Sequence, residues 1–155
     1  MTKTLTAVEV LQAILADPKN LDNVAKHTTP DVTYVSLNYE NAELKRVMPW
    51  CGTQHGPEAI VKTFVDVDRY WGVEAFEPRA TFGDGEDAAM FGSFTYRSTV
   101  LGKQVTSPFA VYAKVVDGKC SYLQFMEDTL ATTESFRKGG EWTIHSDPAG
   151  AEISI

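Results

Sequence analysis

The sequence predicts an α+β fold, and three observations carry that prediction. Apolar residues recur at helical spacing only in the N-terminal half. From Gly72 onward the pattern alternates, as in half-buried strands. The alternating segments are joined by short turns, GDGED, LGKQ and DGK, which makes an antiparallel meander. Helices segregated from such a sheet define the class. The expected architecture is a long, curved antiparallel sheet wrapped as a cone around three N-terminal helices, with a pocket at its open end.

The first helix starts at Thr6, which has capping-box spacing to Glu9 and is flanked by the staple pair Leu5 and Val10. Val8, Leu11, Ile14 and Leu15 fall on one face, and Asp17-Pro18 ends the helix. A shorter helix begins at Asn20, turns Leu21, Val24 and Ala25 inward, and stops before Pro30. DVTYVSLNY reads as a strand. NAELKRVMPWCGTQHG reads as a long, weakly structured linker. The third helix starts at Gly56-Pro57-Glu58. Glycine supplies the backbone freedom there, proline fits the first helical position, and the acid faces the positive helix end. Ile60, Phe64, Val67 and Trp71 form its apolar stripe, with Gly72 as a C-terminal cap.

Four strands follow: FEPRATF, AAMFGSFTYRSTV, VTSPFAVYAKVV and CSYLQFMEDT. One domain over residues 6–130 is expected, with residues 131–155 as a tail. In that tail EWTIH can pair as a strand, and the rest is either a mobile end or a wrap for a partner subunit.

With 155 residues the chain suits one compact domain. A net charge of −7 and the lack of any basic cluster argue against nucleic acid or an anionic membrane as partner. Cys51 and Cys120 form no C-x-x-C motif, which fits a reducing compartment. The N-terminus lacks an apolar signal core, and no apolar run reaches the ~18–20 residues that span a bilayer. A cytoplasmic location is expected. His27, His55 and His145 are scattered without ligand spacing, so no metal is expected. Nucleotide-binding glycine motifs are absent.

Two motifs and the element order resemble a known family. The motifs are Gly52-Thr53-Gln54-His55-Gly56-Pro57-Glu58-Ala59-Ile60 and Asp117-Gly118-Lys119 leading into a strand that ends at Asp128. Together they look like the SnoaL-like, ketosteroid-isomerase-like branch of the nuclear-transport-factor-2-like superfamily. The resemblance implies a cystatin-like, cone-shaped α+β barrel with an apolar pocket, usually a homodimer through the sheet, and needing no cofactor. It also implies an acid/base role for Asp128, which matches the strand-end Asp of SnoaL-type cyclases. The sheet histidine of those cyclases has no counterpart here. Ser36 stands where the isomerases carry their base, and the first helix has no tyrosine. Arg97 and Asp128 match two members of the three-residue network of epoxide hydrolases of this fold.

The residues themselves point to several candidates. Asp128, among apolar and aromatic neighbours, would have its proton affinity raised by desolvation, or else it caps a turn in solvent. Glu127 is its rival. Strand alternation puts Phe125 and Glu127 on one face, and Met126 and Asp128 on the other. His55 lies on the loop beside the pocket rim and is a candidate proton shuttle. Tyr34 either offers its hydroxyl to a ligand carbonyl or belongs to the core. Trp50 reads as a lid or wall. Ser36 and Asn38 share the face of Tyr34, and Phe64, Phe94 and Phe109 are further candidates for the lining.

The expected function is therefore a cofactor-independent isomerase, cyclase, dehydratase or hydrolase acting on a small apolar carbonyl or cyclic compound. In that reading Asp128 moves the proton and Tyr34 or His55 stabilises an oxyanion. The alternatives are a small-molecule binder without chemistry and a dimeric interaction module.

Overall fold

The structure, a computed structural model, describes residues 3–155. Its first helix, α1 (Ala7–Ala16), is held by the expected capping box. The Thr6 hydroxyl accepts from the Glu9 amide at 3.2 Å, and the Glu9 carboxylate accepts from the Thr6 amide at 2.8 Å. Val10, Leu11 and Ile14 are buried, with Val8 and Leu15 packed at the edge of the same face. Helix α2 (Leu21–His27) is capped by Asn20 and runs directly into strand β1 (Thr28–Ser36).

The expected linker holds two elements. Helix α3 (Ala42–Val47) starts where Asn41 accepts from the Leu44 amide at 2.9 Å, and strand β2 (Gly52–His55) pairs antiparallel with β1. Gly56 then adopts φ 91°, and helix α4 (Pro57–Tyr70) begins at Pro57 as expected. Its end differs from expectation. Trp71 is already extended, its amide closes the last turn on Val67, and Gly72 lies inside the next strand. No glycine cap is needed because the helix passes straight into sheet pairing.

The long strands are β3 (Trp71–Asp84), β4 (Asp87–Ser98), β5 (Gln104–Val116) and β6 (Lys119–Glu127). The sheet order is β2-β1-β6-β5-β4-β3. The meander is antiparallel, but β1 and β6 pair in parallel, so the sheet is mixed and open rather than a closed barrel. Irregular registers along β3, at Val73/Ala75 and Pro78/Ala80, bend it around the helices. Gly92 permits the tightest approach. A Cβ there would lie 2.4 Å from the Glu77 carbonyl and 2.7 Å from the Phe109 ring. With hydrogen in that place, Phe109 stacks on Phe76 at 4.6 Å and on Phe125 at 5.6 Å. The core fills the concave side: Val10, Leu11, Ile14, Val24 and Ile60 from the helices meet Val111, Ala113 and Leu123 from the sheet.

Helix α5 (Thr129–Glu134) follows β6, so the boundary expected after Leu130 falls within a helix. Thr132 and Ser135 are buried, the Trp71 indole donates to the Ser135 hydroxyl at 2.8 Å, and Phe136 stacks on Trp71 at 4.5 Å. This part of the tail packs on the core. Beyond it, β7 (Thr143–Ile144) pairs with β8 (Ile153–Ser154), so EWTIH pairs with the end of the chain and not with the main sheet. Among the described residues no helix is long and apolar enough to cross a membrane.

Candidate active site

The last residue of β6 is Glu127. Alternation along the strand places it on the same face as Phe125, toward the concave side of the sheet. There it helps line a narrow cavity of about 20 Å³, room for one water-sized molecule. Strand β1 contributes Tyr34 and Ser36, and the segment before β2 contributes Trp50. Helix α4 adds Thr63, Phe64 and Val67; Trp71 and Tyr96 come from β3 and β4. The Trp50 ring is held edge-on between Tyr70 at 5.1 Å and Trp71 at 5.4 Å, so it is a fixed wall.

Glu127 Oε2 is buried and has no hydrogen-bond partner. Such an atom costs on the order of 1–3 kcal/mol, and a group kept despite that cost calls for an explanation. Burial is the main cause that pushes the Glu127 carboxyl up to about 7; the nearby Thr132 hydroxyl pulls it down, and the Asp128 charge adds to the rise. At neutral pH the group therefore exchanges a proton readily in either direction. Tyr34 and Tyr96 are also raised, first by burial and then by the Glu127 charge. For Tyr34 the neighbouring Ser36 and Thr63 hydroxyls offset part of this. Both phenols thus stay protonated and can donate hydrogen bonds. A proton carrier facing two neutral donors in an apolar cavity is an arrangement suited to moving a proton on a carbonyl compound.

Of the residues singled out from the sequence, the structure brings together Tyr34, Ser36, Trp50, Phe64 and Glu127. It places the others elsewhere. Asp128 is exposed on the opposite face; its carboxylate accepts from the Ala131 amide at 3.0 Å and caps α5. His55 is exposed at the end of β2, 3.4 Å from the Thr33 hydroxyl, outside the cavity. Asn38 lies past the end of β1 in solvent. Phe94 and Phe109 are core residues beneath the site, Phe94 stacking on Tyr96 at 4.0 Å. Arg97 is bound to Glu74 at 2.6 Å and to the Gly102 carbonyl at 2.8 Å, which commits it to the surface. Thr63, Val67, Trp71, Tyr96 and Phe125 complete the lining. Thr63 carried a signal, a small polar residue three positions after Ile60 on an apolar helix face. Tyr96 shares its strand face with Met90 and Phe94, the alternation that turns it inward.

Among the described residues no three His, Cys, Asp or Glu side chains gather into a metal-binding group. Cys51 and Cys120 are buried, free thiols, and burial raises both, Cys120 to about 12. Neither has the character of a nucleophilic thiolate.

The helices and the curved, mixed, open sheet define a protein with the NTF2-like fold, the fold shared with SnoaL-like proteins. An NTF2-like protein of Burkholderia thailandensis matches with a TM-score of 0.72 at 18% identity, over 86% of this chain and 98% of that one. A candidate SnoaL-like polyketide cyclase of Jannaschia matches with a TM-score of 0.69 at 12% identity, over 86% of this chain and 93% of the other. TerC, co-crystallized with polyporic acid, matches with a TM-score of 0.65 at 22% identity, over 83% and 95%. No family model matches the sequence. By sequence, the chain belongs to the same family as patulin biosynthesis cluster protein F of Penicillium expansum, with 39% identity over 136 residues, 84% of this chain and 68% of that protein. Patulin synthesis protein F of Aspergillus clavatus is 43% identical over 126 residues, 79% of this chain. The chain spans 64% of the length of that relative.

Proposed function

We propose that the protein is a cofactor-independent acid/base enzyme of small-molecule biosynthesis, of the isomerase or cyclase type. The observation that carries this reading is Glu127 Oε2, buried and unpaired in a cavity with two protonated tyrosines. Glu127 takes a proton from carbon beside a carbonyl and returns it to a neighbouring atom of the same molecule. Tyr34 and Tyr96 donate hydrogen bonds to the oxygen on which charge develops. The names of the two relatives, which tie them to patulin synthesis, support a role in making a small compound.

The test is proton exchange into a panel of monocyclic ketones and enones in deuterated water, read by mass. The wild type should accelerate exchange for at least one compound, and Glu127→Gln should abolish the acceleration. A compound that binds but exchanges no proton with either protein would favour a binder without chemistry.

The same reading extends to assembly, with two copies pairing through the outer sheet face. Phe82 and Phe91 stack there at 6.0 Å and are 58% and 48% exposed, and Met126 is 42% exposed. Such a patch is unusual for a surface that faces only water. Light scattering of the wild type and Phe91→Glu tests this: a dimer that becomes a monomer supports it, and a monomeric wild type rejects it.

A further inference from the structure

The Glu127 cavity is too small to hold a ring as it stands, so any substrate must come through one of its walls. A second concavity, of about 170 Å³, lies directly against that cavity. Phe64, Val67 and Tyr96 line both and form the partition between them. The outer walls come from Leu15 and Pro18 on one side and from Val73 and Phe76 on the other. Its volume is close to the roughly 150 Å³ of an apolar cavity that accepts one benzene-sized ring. The charged groups at its rim, Lys19 and Asp68, are bonded to each other, so neither is free to hold an ionic ligand.

From this continuity we infer that the outer cleft is the docking vestibule of the active site. Its occupant is an uncharged, single-ring compound, and the Phe64 and Tyr96 side chains are the door through which that ring reaches Glu127. The inference rests on the proposed site being a real reaction centre, and it adds the size, charge and route of what enters. Val67 stays as the fixed jamb because it has one side-chain torsion and its carbonyl is held by the Trp71 amide in the last turn of α4, whereas the aromatic rings can swing.

The route can be tested without knowing the substrate. Thr63 lines only the inner cavity and is 4% exposed, so Thr63→Cys places a thiol behind the door. The probe is 4,4′-dithiodipyridine, a neutral reagent built of single aromatic rings. Its reaction with a thiol forms a mixed disulfide and releases one thiopyridone, which is read by absorbance. The wild type supplies the background from the two buried native thiols. Thr63→Cys should react clearly above that background. Adding Val73→Trp, which fills the vestibule from an exposed strand position, should slow the reaction at least tenfold. Lys19→Trp does the same from the opposite wall and serves if Val73→Trp fails to fold. Val116→Trp, remote from the cleft, should change nothing. Equal rates with and without either plug would overturn the vestibule while leaving the Glu127 reading intact. A Thr63→Cys thiol no faster than background would also overturn it, since no ring then passes the door. Failure of the Glu127 reading shows separately, as proton exchange that is indifferent to Glu127→Gln.

Discussion

Two carboxylates stand next to each other at the end of β6, and the structure treats them as opposites. Glu127 turns inward, loses its water and finds no partner for one oxygen, so its proton becomes available near neutrality. Asp128 turns outward, stays in solvent and spends its carboxylate on an amide of α5. One step along a strand separates a buried carboxyl with an unpaired oxygen from a capping one. The lesson is that burial, and not residue type, sets the two apart, because the same functional group, left in solvent roughly 3.4 Å further along the chain, only caps a helix.

The largest expected break of this contrast is in turnover. Glu127→Gln should lower it by about 100- to 10,000-fold, the usual range for a general acid/base group. Asp128→Asn should leave it within about twofold, since Asn caps a helix nearly as well. A large loss in Asp128→Asn would move the proton carrier to the outer face.

Next in size is the donor role. Tyr34→Phe removes one of the two proposed donor hydroxyls and should cost on the order of 100- to 1,000-fold in kcat, the usual range for loss of one oxyanion donor. Tyr34→Phe with unchanged kcat would assign the stabilisation to Tyr96 alone.

Stability gives a third, independent readout. The folded-state pKa of Glu127 lies above its ordinary 4.5, so the native protein binds a proton that the unfolded chain releases between about 4.5 and 7. Stability from this group is therefore present at low pH and is lost as pH rises through about 7. The full difference amounts to about 3 kcal/mol by the size of the shift. Denaturant melts should show Glu127→Gln gaining on the wild type from pH 5 to pH 8. The same series on Asp128→Ala should show a nearly constant loss of about 1 kcal/mol, the worth of a helix cap. A wild type and Glu127→Gln pair with parallel pH profiles would mean that the carboxyl is solvated.

Much of this contrast was legible in the sequence, and the part that was not has a physical reason. The Thr6 and Gly56-Pro57 helix starts depend on neighbours within four residues, and both appear as read. Alternation already separated Glu127 from Asp128. What it left open was which face is the inside, because both faces of that strand carry large apolar residues, Phe125 on one and Met126 on the other. The deciding contact is the parallel pairing of β1 with β6, which joins residues some 90 positions apart and brings Tyr34 opposite Leu123. Local pattern holds no record of it. Helix α3 lies inside the expected linker because its six residues carry too little periodicity to stand out from a loop. The anchoring of α5 likewise rests on Trp71 and Ser135, 64 positions apart.

The most direct test of the central claim is the titration of Glu127 itself, followed by NMR of the side-chain carboxyl carbon in glutamate-labelled protein and assigned by the signal that vanishes in Glu127→Gln. The expected midpoint is near 7. A midpoint near the ordinary 4.5 would mean that Glu127 is solvated and ionised, and that the proton carrier of this cavity is not there.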